Sequence, residues 1–254
     1  MQLIVLGSGT SVPHPSRAST THWLETKRGK LLLDISADAP HRMAQEGLDW
    51  AGLDAIWISH FHLDHSGGLA PYLFGMRSAP QTQEREKPLN IYAGVGFERI
   101  LKAFDDANNY KLFKQPFPLN VVELSAGEEF EILPELSAKT FSTPHTPESL
   151  ALRLTSGDGR VVVYTSDTGY SMELAEFAMG ADLLVMECSF FKDKPVATHL
   201  KLEEALQLAR TAAPRKLLLT HLYAEWDDVD LVAEAKRLWE GETLEAYDGL
   251  RLQV

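Results

Sequence analysis

The chain has 254 residues, 44% hydrophobic and 24% charged, with a net charge of −12. That length can bury a sizeable core and fits one large α/β domain or two small ones, and the composition excludes a disordered or fibrous chain. The acidity excludes a broad basic surface for nucleic acid.

Cys188 is the only cysteine, so no intrachain disulfide can form and a cytoplasmic setting is expected. Met1 to Leu6 runs straight into Gly7 without a basic leader, and no run reaches the ~18 apolar residues of a membrane span. Residues 2–6 read as a buried strand. Gly7 to Ser11 is a glycine loop, but it lacks the third glycine and the following helix of a dinucleotide fingerprint. Its hydroxyls at Ser8, Thr10 and Ser11 are weak candidates for phosphate binding, and His14 is a candidate to face substrate. Residues 22–26 and 30–34 flank Lys27-Arg-Gly29, a hairpin signature. Residues 38–49 read as a short helix with Ala39, Met43 and Leu48 inward. Asp54 to Ser59 is a short buried strand.

After residues 60–65, Leu69 to Met76 is apolar enough for a helix near the site. Residues 78–88 are polar and read as a mobile loop. A strand is expected at 89–93 and an amphipathic helix at 97–104. Strands at 120–124 and 128–132 are expected to pair around Ser125-Ala-Gly127. The second half then echoes the first. A strand at 136–142 precedes His145, and strands at 150–155 and 160–165 form a hairpin. Buried strands follow at 182–188 and 216–220. A helix at 202–212 carries Leu202, Ala205, Leu206 and Ala209 on one face. Another is expected at 229–239, with Asp228 as N-cap. The tail reads as two short strands around Asp248-Gly249. With no low-complexity linker, residues 1–254 are expected to form a single domain with a weak internal duplication.

The chemistry concentrates in His60-Phe61-His62-Leu63-Asp64-His65, three imidazoles and a carboxylate in a loop at a strand exit. Imidazole suits zinc and similar metals, and carboxylate suits harder ones. His145, Asp167 and His221 each follow an apolar strand, and a sheet gathers such strand ends at one edge. Five histidines and two aspartates exceed one tetrahedral ion and suit two ions about 3.5–4 Å apart, bridged by a carboxylate.

This pattern resembles the metallo-β-lactamase superfamily over nearly the whole chain. The resemblance implies an α/β fold, an αββα sandwich of two mixed β-sheets flanked by helices, with a dinuclear metal site at one edge. By that likeness His60, His62 and His145 would hold the first metal, Asp64, His65 and His221 the second, and Asp167 would bridge. The expected cofactors are two Zn2+, with Mn2+ or Fe as alternatives. His62 separates the chain from the flavodiiron branch, where a Glu stands at that position, and Asp167 from true β-lactamases, where a Cys is usual.

Within the superfamily the chain is most similar to the ribonuclease Z-like branch. Leu6 to Pro13, Pro88 to Tyr92 and Ser166-Asp-Thr-Gly169 carry that likeness. Glu187 in Met186-Glu-Cys-Ser-Phe190, followed by His199, resembles that branch's Glu and His pair, in which the His protonates the leaving oxygen and the Glu orients it. Cys188 and Trp57 read as core. His22 and His41 read as structural or surface residues, and Glu187 equally fits a partner of a metal-bound histidine. The basic, Gly-rich arm of a tRNA-processing enzyme, expected between His145 and Asp167, is replaced by a hairpin.

The expected function is therefore a metal-dependent hydrolase, a phosphodiesterase acting through a metal-bridging hydroxide. Its expected substrate is a small or cyclic phosphodiester, or a short RNA 3′ end. Asp64 would accept the water's proton, and His199 would be the general acid. Hydrolysis of a lactone, a thioester as in glyoxalase II, or a sulfate ester uses the same ligands and remains an alternative. A third class is a non-catalytic domain that keeps the fold. No extended nucleic-acid surface and no membrane contact are expected. Residues 69–76 are a candidate homodimer contact, or equally core.

Overall fold

A computed structural model describes residues 1–254. The first half runs β1 (Gln2–Gly7), β2 (Thr21–Glu25), β3 (Lys30–Leu33), α1 (Ala39–Gln45), β4 (Ala55–Ile58), α2 (Leu63–Ser66), α3 (Leu69–Met76), β5 (Leu89–Gly94), α4 (Phe97–Asn108) and β6 (Leu119–Leu124). The second runs β7 (Glu129–Leu133), β8 (Leu136–Ser142), β9 (Leu150–Ser156), β10 (Val161–Tyr164), α5 (Met172–Phe177), β11 (Leu183–Glu187), α6 (Leu202–Ala212), β12 (Leu217–Thr220), α7 (Leu231–Leu238), β13 (Thr243–Glu245) and β14 (Arg251–Gln253).

The strands form two seven-stranded mixed sheets, ordered β14-β1-β2-β3-β4-β5-β6 and β13-β12-β11-β10-β9-β8-β7. Strands covered on both faces are unbroken apolar runs, such as Val161-Val-Val-Tyr164 and Leu217-Leu-Leu-Thr220, and they lie in the parallel part of their sheet. In β8, by contrast, Leu136, Ala138 and Thr140 are buried while Ser137 and Lys139 are exposed, the alternation of a strand with one wet face. The same period of two divides β1. Leu3 and Val5 enter the layer between the sheets, with Trp57, Leu152, Val185 and Leu218. Ile4 and Leu6 turn outward to Met43, Leu73 and Phe97 beneath the helices. Trp226, Leu206 and Leu231 cover the other sheet. The result is the αββα sandwich.

Several local expectations are corrected. β6 does not pair with β7: β6 lies parallel to β5, and β7 lies antiparallel to β8 in the other sheet. Ser125 to Gly127 therefore crosses between sheets, with Gly127 at φ +88°. The two expected short tail strands are present and join different sheets, β13 pairing with β12 and β14 with β1, with Gly249 at φ +94°. Both positive-φ turns demand glycine whether the strands fold back or cross over. The helix at 38–49 stops at Gln45. A 3-10 turn at Trp50–Gly52 follows, capped by the Asp49 side chain on the Gly52 N–H. Asp230, not Asp228, caps α7, accepting from the Ala233 N–H, because Val229 is extended and separates Asp228 from the helix. Residues 78–88 are pinned: Arg85 donates to the carbonyls of Ala51, Leu53 and Pro88 at 2.6–2.8 Å, and Thr82 is buried.

Candidate metal centre

The ends of β4, β8, β10, β11 and β12 open at one edge of the sandwich. His60 and His62 follow β4, and Asp64 and His65 lie in the single-turn helix α2. His145 follows β8, Asp167 follows β10, Glu187 ends β11 and His221 follows β12. Asp34 (φ +60°), Ser166 (φ +53°) and His221 (φ +60°) adopt left-handed backbone that non-glycine residues rarely take, and such strain gathers at functional sites.

The side chains form two groups that share Asp167. In one, ligand atoms of His60, His62, His145 and Asp167 lie within 4.8 Å of one another; in the other, those of Asp64, His65, Asp167 and His221 do. The two carboxylate oxygens of Asp167 divide between them. Oδ2 lies 3.8 Å from His60 Nε2 and 3.7 Å from His145 Nε2. Oδ1 lies 3.3 Å from both His65 Nε2 and His221 Nε2. Asp64 Oδ2 closes the second group, 3.6 Å from His65 and 3.5 Å from His221.

The donor set fits divalent cations. Nε2 of His60, His65 and His221 and Oδ1 of Asp167 are buried without a hydrogen-bond partner. Buried polar atoms are otherwise almost always paired, so a cluster of orphans aimed at one point marks a place for an ion. Nitrogen and carboxylate donors suit zinc and its neighbours. The electrostatics agree. Burial opposes ionisation of Asp167, but the His221 and His65 charges outweigh it and hold the carboxyl well below the usual range. Burial opposes charge on His65 too, yet Asp167 and Asp34 raise its pKa well above the ordinary value. The pocket thus favours positive charge.

Glu187 and His199 stand beside the second group. Glu187 is 1% exposed. Its Oε1 accepts from the Thr168 N–H (2.7 Å) and His199 Nδ1 (2.9 Å), and its Oε2 from Ser189 Oγ (2.7 Å) and the Leu200 N–H (3.0 Å). Burial lowers the His199 pKa, but the hydrogen bond and charge of Glu187 outweigh it, so the net shift is upward. All nine residues singled out from the sequence therefore meet at one edge.

Asp34 was missed. It is fully buried and accepts from Ser59 N (2.7 Å), Ser59 Oγ (2.8 Å), His65 Nδ1 (2.7 Å) and Tyr164 Oη (2.6 Å). The signal was present: Leu31-Leu-Leu-Asp34 is an acid at the exit of an apolar strand, as Asp167 is. Outside the cluster, the loop at Ser8 is held from within. Ser8 N and Oγ and Ala18 N all donate to Asp248 at 2.8–2.9 Å, which engages donors a phosphate would need. His14 Nε2 lies 2.8 Å from Asp227. His22 is buried edge-on to Tyr164, and His41 bonds Gln45 on α1. Trp57 and Cys188 are core. No helix is long and apolar enough to cross a membrane.

Comparison with known proteins agrees with this geometry. Ribonuclease Z of Archaeoglobus fulgidus is 25% identical over 308 aligned positions, covering 100% of this chain and 97% of that protein. The excess over 254 residues is sequence that this chain lacks. The probable metallo-hydrolase YhfI of Bacillus subtilis is 28% identical, with 98% of each chain covered. The YhfI crystal structure, described as a metallo-β-lactamase fold protein, superposes with a TM-score of 0.83 over 99% of this chain and 98% of that one, at 25% identity. Human tRNase Z, short form, shares the fold at a TM-score of 0.79 and 18% identity, with 100% and 99% covered. Residues 1–241 match the family described as Anti-Pycsar protein Apyc1. With this fold, these relatives and this cluster of candidate ligands, the chain is a ribonuclease Z-like, metal-dependent hydrolase of the metallo-β-lactamase fold, and it belongs to the Anti-Pycsar protein Apyc1 family.

Proposed function

We propose that the protein is a dinuclear zinc phosphodiesterase that cleaves a small or cyclic phosphodiester. The observation that carries this reading is Asp167, whose two oxygens face two separate ligand groups beside the Glu187–His199 pair. His60, His62 and His145 would hold one cation, Asp64, His65 and His221 the other, and Asp167 would serve both. Two cations bound there supply Lewis acidity for the phosphoryl oxygens and an acidified water as nucleophile.

The remaining work falls to the chain. Burial opposes ionisation of Asp64, but the neighbouring His221 and His65 outweigh it and keep its carboxyl well below the usual range, so it is ionised and able to accept the nucleophile's proton. Glu187 fixes His199 through Nδ1, which leaves Nε2 as the free end that donates a proton to the leaving oxygen. The upward shift of His199 favours its protonated form.

The scaffold supports a small substrate. The span between His145 and Asp167 is occupied by the tight β9–β10 hairpin, so no arm projects to grip a folded RNA. The net charge of −12 adds no attraction for a polyanion. The lone, buried Cys188 supports a cytoplasmic setting. Phe74 on α3 is 50% exposed beside Phe104 at 45% and Tyr110 at 41%, an apolar face that supports self-association.

The test combines metal analysis with assays on bis(p-nitrophenyl) phosphate, cyclic nucleotides, lactones and thioesters. About two zinc equivalents and chelator-sensitive diesterase activity are expected. Activity confined to carbon esters would overturn the phosphodiester assignment, and a protein that takes up no metal would overturn the whole reading.

A further inference from the structure

Two side-chain relays of the same design lie behind the site, one in each half of the chain. In the first, Asp34 Oδ2 is 2.7 Å from His65 Nδ1 and 2.8 Å from Ser59 Oγ, and Ser59 Oγ is 3.1 Å from His60 Nδ1. In the second, Glu187 Oε1 is 2.9 Å from His199 Nδ1, Oε2 is 2.7 Å from Ser189 Oγ, and Ser189 Oγ is 2.9 Å from His221 Nδ1. Each carboxylate holds one histidine directly and a second through a serine. Both serines are fully buried.

A count of hydrogens fixes the direction of every bond. A carboxylate only accepts, so each serine must give it the one hydrogen its hydroxyl owns. Ser59 Oγ and Ser189 Oγ are then left as acceptors toward their histidines. The hydrogen in those contacts must sit on Nδ1 of His60 and on Nδ1 of His221. On a neutral ring Nε2 is then left bare, and Nε2 of both histidines is among the orphaned buried atoms. His145 reaches the same state by a simpler route, its Nδ1 2.9 Å from the Thr198 carbonyl oxygen. The first relay is also braced across the sandwich. Tyr164, the last residue of β10, donates to Asp34 at 2.6 Å, and Ser166 Oγ donates to Ser59 Oγ at 2.6 Å.

We propose that Ser59 and Ser189 are matched positioning residues, each locking one site histidine as its Nδ1–H tautomer, His60 in one ligand group and His221 in the other. Through Ser189, the carboxylate that orients the proton donor His199 also orients the ligand His221. The inference rests on the two-cation reading and deepens it.

The probe is zinc alone. Chelator competition on the intact protein measures both affinities, and long-range 15N spectra of histidine-labelled protein report which ring nitrogen carries hydrogen. In Ser59→Ala and Ser189→Ala the Nδ1–H loses its acceptor. Each variant should bind one of its two zinc ions roughly 10–100-fold more weakly, the other near wild-type affinity, since outer partners of metal ligands carry effects of that size. His60 in the first variant and His221 in the second should lose the single-tautomer signal. Wild-type affinities in both variants would overturn the proposal. So would a wild-type spectrum with His60 or His221 protonated on Nε2 and not on Nδ1, a result that needs no variant to fold and can be read on zinc-free protein as well. A wild-type chain that binds no zinc would instead refute the two-cation reading.

Discussion

His199→Ala separates the proposed proton donor from the ligands. The structure sets the scale. His199 is 12% exposed on its side chain, and its contact with Glu187 is one of four that the carboxylate makes. Without it, Glu187 keeps Thr168, Ser189 and Leu200, so the fold is expected to survive. Both ligand groups that share Asp167 stay complete. What disappears is a general acid, with an expected loss of about 10²–10⁴ in turnover, or about 3–5 kcal/mol of transition-state stabilisation. That loss depends on the leaving group. An alkoxide released from a nucleotide needs a proton, whereas p-nitrophenolate leaves as a stable anion. The variant should therefore lose the full factor on a cyclic nucleotide but less than about tenfold on bis(p-nitrophenyl) phosphate. Steady-state rates on both substrates, with zinc content measured on the same samples, decide the matter. Equal losses on the two substrates, or a loss of zinc, would refute the role. Glu187→Gln should behave differently. Whichever way the amide turns, its NH2 meets two donors, so about 1–3 kcal/mol of stability per stranded group is at stake. A lowered unfolding midpoint is expected there and not in His199→Ala.

Prolonged chelation should abolish activity, and added zinc should restore it; restoration by no divalent ion would count against a metal hydrolase. Burial, helped by the His65 charge, pushes the His22 imidazole down to about 3. Because this lies below the unfolded value near 6.5, protonation favours the unfolded chain, and stability is lost as pH falls from about 6.5 toward 3, on the order of 2 kcal/mol by about pH 5. Urea unfolding of chelated His22→Leu should therefore show a flatter pH dependence than wild type; parallel curves would contradict the burial argument. A Cβ on Gly68 would stand 2.0 Å from the Ser36 carbonyl oxygen, whereas one on Gly75 in α3 meets nothing within 4 Å. Gly68→Ala should fold poorly, and Gly75→Ala should gain about 0.5–1 kcal/mol in thermal unfolding. Phe74→Glu should lower the oligomeric mass in light scattering if the α3 face joins two copies; an unchanged mass would place the contact elsewhere.

The candidate site of this chain was readable because its donors are local or punctuate apolar runs. His60 to His65 spans six residues, and His145, Asp167 and His221 each stand at the exit of a strand whose composition is plain. Sheet membership was less readable. Ser125 to Gly127 and Asp248-Gly249 look like hairpin turns, yet each carries the chain from one sheet to the other. A turn residue specifies a local φ, and the choice of neighbour is made by core faces far away in sequence. The start of α7 shows the same limit on a smaller scale. Asp228 and Asp230 are both good caps, and only the extended backbone at Val229 decides between them.

The supports of the site were the least legible part, for a physical reason. A ring that presents a bare Nε2 in a dry pocket must also satisfy its Nδ1–H there. A backbone carbonyl does this for His145, and a carboxylate does it for His65. His60 and His221 are each met by a serine that is itself backed by a carboxylate. Tyr164 and Asp34 are 130 residues apart, and Ser166 and Ser59 are 107 apart, so the partners converge only when the two sheets close on each other. A serine after a strand carries no signal of its own in the sequence. Its significance comes from having a single hydrogen to give, and from which neighbour folding obliges it to give that hydrogen to.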